Sequence, residues 1–206
     1  DKLDELGIAN NTIVVFVSYH GSERKGSLIK NRGTEIPCLI RWPKVIKPGS
    51  VSRGLFQNTD FVPTWFELAQ AETPVDYHMD GESLVPMFKD PSVSIRQYIY
   101  AEQGPARAIK TADWEYISIR YTDEQVAATQ GNRADRAFKT LLGLSGGISR
   151  AKDFHPGTFS ADQLYHLSYD MDSQKNLAED LGYAGQLKKM KRMLTKTVKN
   201  MGPRPY

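Results

Sequence analysis

Side chains able to do chemistry are concentrated in one polar stretch, Ser18-Tyr19-His20-Gly21-Ser22-Glu23-Arg24-Lys25-Gly26-Ser27-Leu28. His20 can serve as acid, base or metal ligand near neutral pH. Lys25 supplies a compact positive charge suited to an anionic substrate. Taken alone, each is also what an ordinary solvated loop contains. Cys38 is the only cysteine, which excludes an intrachain disulfide and a multi-cysteine zinc site. It lies inside an apolar run, so a core thiol is expected rather than a reactive one.

The polar stretch is held between two apolar runs. Thr12-Ile13-Val14-Val15-Phe16-Val17 is continuous, apolar and β-branched, the pattern of a strand buried on both faces of a parallel sheet. The second run, Ile36-Pro37-Cys38-Leu39-Ile40-Arg41-Trp42, is closed by Pro43. In open α/β sheets the chemistry gathers at the carboxyl ends of strands, which is where His20 and Lys25 fall. Two strands cannot cover each other on both faces, so the chain is expected to be the second part of something larger. Asp1 to Leu6 reads as the end of an amphipathic helix with Gly7 as its C-terminal cap.

The whole chain has the make-up of a folding protein. Of 206 residues, 40% are hydrophobic and 25% charged, far from the composition of disordered segments. A net charge of +3 is too small for a nucleic-acid protein, which needs a concentrated basic face. No apolar run approaches the roughly 20 residues of a membrane span, and the first residues lack the layout of a signal peptide.

Several motifs, in order, resemble the sulfatase family. They are Leu3-Asp4-Glu5-Leu6-Gly7, Ser18-Tyr19-His20-Gly21, Lys25-Gly26-Ser27-Leu28 and Ile36 to Pro43. The likeness continues through Lys47 to Ser52, Asn58-Thr59-Asp60-Phe61-Val62-Pro63-Thr64 and Met79-Asp80-Gly81-Glu82-Ser83-Leu84. It resumes at Arg107 to Thr111, Trp114 to Ile117, Asp162 to Leu167 and Gln174 to Ala178. Only about Thr122 to Phe159 stands outside it.

The resemblance implies a sulfuric ester hydrolase of the alkaline-phosphatase-like superfamily, with a calcium ion and a formylglycine nucleophile. A sulfate monoester is a poor electrophile, so cations must neutralise its oxygens while a hydrated aldehyde attacks. By the same resemblance His20 completes the metal site and Lys25 is the catalytic lysine that contacts the sulfate and leaving-group oxygens. The substrate implied is a sulfate ester, such as a sulfated glycan, and the compartment periplasmic or extracellular. The sequence also departs from the family. Cys38 lacks the proline or alanine and the arginine of the formylglycine motif, no Asp-Asp pair occurs, and Tyr19 stands where the metal-binding aspartate belongs. A phenol ionising near pH 10 cannot supply the anionic charge calcium needs. This chain alone is therefore expected to bind no calcium and to be inactive. The other readings are a non-catalytic binding or structural protein derived from a sulfatase, and part of a related phosphoester or phosphonate hydrolase.

The fold class expected is α/β: part of a mixed or parallel α/β sheet over 1–93, then a small antiparallel four-stranded sheet with a C-terminal helix over 94–206. Asp60 to Ala71 reads as a helix, with Asp60 as N-cap and Val62, Trp65, Phe66, Leu68 and Ala69 as core. Gln97 to Glu102, Ala106 to Thr111, Trp114 to Tyr121 and Leu164 to Leu167 read as strands of a meander. Leu187, Met190, Leu194, Val198 and Met201 form the apolar stripe of the last helix, whose other faces carry Lys188, Lys189, Lys191, Arg192, Lys196 and Lys199. These lysines are read as a solvated face, with anion binding as the alternative. The insertion over 122–159, with a helix at Ala134 to Leu142, reads as a surface loop, or else as a basic lip for a sulfated sugar. The unfinished sheet is expected to drive self-association.

Overall fold

The computed structural model describes residues 1–19, 21, 31–124, 160–170 and 172–201. The chain is α/β and forms two compact units, one built from Asp1–Val17 and Cys38–Ile99, the other from the described residues of Ser18–Pro37 and of Tyr100 onward.

In the first unit, helix α1 (Lys2–Glu5) is capped by the Asp1 carboxylate, which accepts from the Leu3 N–H at 2.9 Å. Gly7 follows at φ 69°, the left-handed position that a helix C-terminus assigns to glycine. Strand β1 (Val14–Val17) pairs with β2 (Cys38–Arg41) in a two-stranded antiparallel sheet, Val14 opposite Arg41 and Val17 opposite Cys38. The apolar run does form a strand, but its faces are not covered by the described residues. Phe16 is 62% exposed and Leu39 67%, so the burial on both faces expected of Thr12 to Val17 is not supplied by the described residues. The core of this unit lies elsewhere, around Leu84, Val85, Met87 and Phe88, against which Ile40, Trp42, Phe56, Phe61, Leu68 and Ile95 pack.

Asp60 organises that core differently from the expected helix cap. No N–H of helix α3 (Phe61–Ala69) donates to its side chain. The fully buried carboxylate instead accepts from the Gln57 N–H at 2.7 Å, the Glu82 N–H at 2.8 Å and the Arg96 guanidinium. A carboxylate surrounded by that many donors is more stable bridging three segments than closing one helix end. Thr64, also fully buried, extends the link: its hydroxyl donates to the Asp60 carbonyl at 2.5 Å and accepts from the Leu84 N–H at 2.9 Å. Gly81 is required because a Cβ there would collide with the Thr59 carbonyl. Of the residues read as the core face of α3, Val62 and Trp65 are 41% and 38% exposed, while Thr64 points inward. Phe61, Thr64 and Leu68 form the inward face at helical spacing, with hydrogen bonds holding the polar residue at its centre.

The second unit holds a four-stranded sheet in the order β3 (Ile99–Gln103), β4 (Ala106–Lys110), β5 (Trp114–Ile119), β6 (Asp162–His166). The β4–β5 and β5–β6 pairings are antiparallel, with Ala108 opposite Ile117 and Tyr116 opposite Leu164. Because side chains alternate between faces, one face gathers Ala106, Ala108, Ile117, Ile119 and Tyr165 into a buried cluster. The helix over Ala184–Asn200 packs on β4 and β5 and buries Met190 and Leu194. Asn176 brackets β6, accepting from the Leu164 N–H at 2.9 Å and donating to the Asp162 carbonyl at 3.1 Å. Asp162 ties strand to helix: Tyr116, Arg120 and Lys191 all donate to its carboxylate, at 2.6, 2.8 and 2.5 Å.

Candidate functional site

The polar stretch lies between β1 and β2 in the chain, and hydrogen bonds join the described residues at its two ends. The Ser18 N–H donates to the Pro37 carbonyl at 3.2 Å, and the Gly21 N–H to the Gly33 carbonyl at 3.2 Å. A short helix, α2 (Asn31–Thr34), leads back toward β2. Tyr19 is 79% exposed beside buried Gly21. His20 and Lys25 lie outside the described residues, as do nearly all of the 122–159 insertion and its expected helix.

One feature of the base escaped the sequence reading. Glu35, directly after α2, forms an ion pair with Lys110 at 3.5 Å. Lys110 ends β4 and stands opposite Glu115 on β5. Glu115 is buried and accepts from the Ser173 hydroxyl at 3.0 Å. Burial pushes its carboxyl above the ordinary carboxylate range, and the pull of Lys110 and the Ser173 hydrogen bond counters this only in part. The result is a row of groups within the second unit, Glu35, Lys110, Glu115 and Ser173, beginning at the base of the polar stretch. Lys110 and Glu115 are placed symmetrically about the Ala112-Asp113 turn, so their cross-strand pairing was readable from the hairpin. Glu35 and Ser173 are too distant in sequence to have been placed.

Among the described residues no three His, Cys, Asp or Glu side chains come together so as to bind a metal. Calcium needs six to eight oxygen ligands, so the described residues do not fit it. Cys38 is half-buried, and burial raises its thiol, the reverse of what a reactive thiolate requires.

Comparison with known proteins gives a consistent result. Residues 24–126, half of the chain, match the family model described as N-sulphoglucosamine sulphohydrolase, C-terminal. An ulvan-active sulfatase of Formosa agariphila is 30% identical over 192 residues, covering 88% of this chain and 36% of the relative. An N-acetylglucosamine-6-O-sulfatase of Bacteroides thetaiotaomicron is 26% identical over 208 residues, covering 96% of this chain and 32% of the relative. The chain thus spans about a third of the length of these curated relatives. A solved structure in complex with its substrate D-glucosamine-2-N,6-O-disulfate superposes with a TM-score of 0.66 at 22% identity, over 96% of this chain and 36% of that one. A putative sulfatase from Bacteroides thetaiotaomicron gives a TM-score of 0.64 at 20% identity, over 93% of this chain and 37% of that one.

Proposed function

Because the chain belongs to the sulfatase family, matching its C-terminal domain, we infer that it serves a sulfuric ester hydrolase acting on a sulfated glycan. The observation that carries this reading is the likeness to glycan sulfatases along nearly the whole chain, 88% and 96% of it in two relatives. Lys25 would contact the sulfate and leaving-group oxygens, and His20 would complete the metal site. Both belong to the sequence between Ser18 and Pro37, where the described residues are joined by backbone hydrogen bonds from Ser18 to Pro37 and from Gly21 to Gly33. Pre-set positive charge is what a developing sulfate oxyanion requires.

The 206 residues contain neither an Asp-Asp pair nor a formylglycine motif. Lacking a nucleophile, they would turn over no substrate by themselves. Purified chain assayed against a chromogenic aryl sulfate, with and without calcium, is expected to show no turnover, and sustained turnover at enzyme concentration would refute this. A second reading, a non-catalytic glycan-binding relative, is favoured by Tyr19 at the aspartate position. It gains if a longer product of the same gene, with nucleophile motif and aspartates present, binds a sulfated glycan without hydrolysing it.

A further inference from the structure

The last helix, Ala184–Asn200, carries six cations, Lys188, Lys189, Lys191, Arg192, Lys196 and Lys199, and no carboxylate. The whole chain is only +3, so the rest of the molecule is net acidic and the positive charge is focused on this element. Lys191 is committed to Asp162. Among the described residues, Lys188, Arg192, Lys196 and Lys199 have no ion-pair partner. They stand at helical spacing along one side, and at 1.5 Å per residue the row extends about 16 Å. Like charges at this spacing repel and weaken a helix. Carboxylates interleaved on the same face would relieve that repulsion, and this helix has none.

The row borders an open groove of about 680 Å³ between the helix and the preceding segment, with Leu181, Ala184 and Leu187 supplying apolar surface. Glu179 and Asp180 line part of it. Asp180 is occupied in accepting from the Gly182 N–H at 2.9 Å. An anionic chain is therefore attracted along the lysine side and repelled from the Glu179 side, which gives it a single track.

We propose that this groove is an accessory binding surface for a sulfated polysaccharide, holding a stretch of chain away from the reacting ester. The chemistry favours that occupant over two others. A membrane surface would need a free apolar helix face, but Met190 and Leu194 are buried on the sheet. Single-stranded nucleic acid would need aromatic side chains for base stacking, and the groove has none. Sugar rings lie against small apolar patches while their sulfates meet the cations, and a second contact raises the effective concentration of substrate at the first. The proposal rests on the glycan-sulfatase reading above.

The test uses the whole chain, with heparin as the probe. Its affinity is measured across a salt series for wild type, for Lys188→Gln/Arg192→Gln/Lys196→Gln/Lys199→Gln, and for Lys189→Gln, which changes a cation that does not line the groove. The fourfold variant is expected to bind at least about tenfold more weakly. Its dependence of log K on log salt should be shallower by roughly three, since four fewer cations displace counterions. Lys189→Gln and wild type should bind alike, and chemically desulfated heparin should bind wild type at least about tenfold more weakly. Undiminished binding by the fourfold variant overturns the proposal. So does an equal loss in Lys189→Gln, or tighter binding to phosphatidylserine vesicles or to single-stranded DNA than to heparin. All substituted side chains are solvent-facing, and unchanged helical circular dichroism establishes that the variants are folded. Binding is read without turnover. Failure here leaves the hydrolase reading standing, and failure of hydrolysis in a longer product leaves this result standing.

Discussion

Lys110 sits between two carboxylates in different surroundings, Glu35 more than half exposed and Glu115 buried. Replacing it by methionine would strand the Glu115 charge without a counter-ion. The loss at pH 7 should be on the order of 2 kcal/mol, below the usual figure for breaking a fully buried pair because Glu35 is hydrated. The sign with pH follows from Glu115, whose folded carboxyl lies above its unfolded one. Its charged form is the unfavourable one, so the Lys110→Met penalty should shrink as pH falls and Glu115 takes up a proton. Urea unfolding of both proteins at pH 7 and pH 5 measures this, and an equal penalty at both pH values would contradict it. Asp162 behaves in the opposite sense. Partial burial raises its carboxyl, but hydrogen bonds from Arg120, Lys191 and Tyr116 outweigh that and hold it at about 2. The stabilisation is present above the unfolded value of about 3.9 and disappears as pH falls toward 2. Asp162→Asn should lower the melting temperature by a few degrees at neutral pH, about 1 kcal/mol once solvent screening is allowed for. It should also flatten the acid limb between about pH 4 and pH 2. A wild-type-like acid limb in this variant would show that Asp162 does not carry that dependence.

At the scale of elements, β1 and β2 are the least self-sufficient part of the molecule. Their antiparallel ladder is formed, yet Val14, Phe16, Val17 and Leu39 stay exposed at 40–67%. An exposed strand pair with apolar side chains is a template for association. The chain should therefore self-associate in sedimentation experiments at micromolar concentration and bind a hydrophobic dye, and Phe16→Lys/Leu39→Lys should reduce both. A clean, dye-negative wild-type monomer would count against this. The meander was legible because it closes within itself: alternation in Tyr116-Ile117-Ser118-Ile119 and turns at Gly104-Pro105 and Ala112-Asp113 identify β3, β4 and β5, to within a residue or two of their observed ends. The last helix was legible for the same reason, its apolar stripe at Met190 and Leu194 being buried where the period places it. Helix α3 was less so. Its buried position is Thr64, which pattern reading counts as polar and which is drawn inward by hydrogen bonds to Asp60 and Leu84.

The whole molecule covers about a third of the length of its relatives. Calcium needs several convergent oxygens, and no such group of side chains occurs among the described residues. With no Asp-Asp pair in the sequence and Tyr19 at the aspartate position, millimolar calcium should leave the melting temperature of the chain unchanged, and Tyr19→Asp should not alter that, since one carboxylate is not a site. A ligand bound only by the folded form raises the melting temperature by mass action. A rise of several degrees in either protein, with none from magnesium, would overturn this account of the site.

Family, fold class and the meander were readable from residue order alone, because each depends on local spacing: motifs at strand ends, alternation in strands, a 3.6-residue stripe in the helix. His20 and Lys25 stay expectations of residue type and motif, since both lie outside the described residues. What needed the third dimension was every relation between residues far apart in the chain. Asp60 meets Arg96 and Glu82, Lys110 meets Glu35, Glu115 meets Ser173, and Asp162 meets Lys191. A buried charge must find its partner wherever folding brings one, and sequence distance carries no record of that.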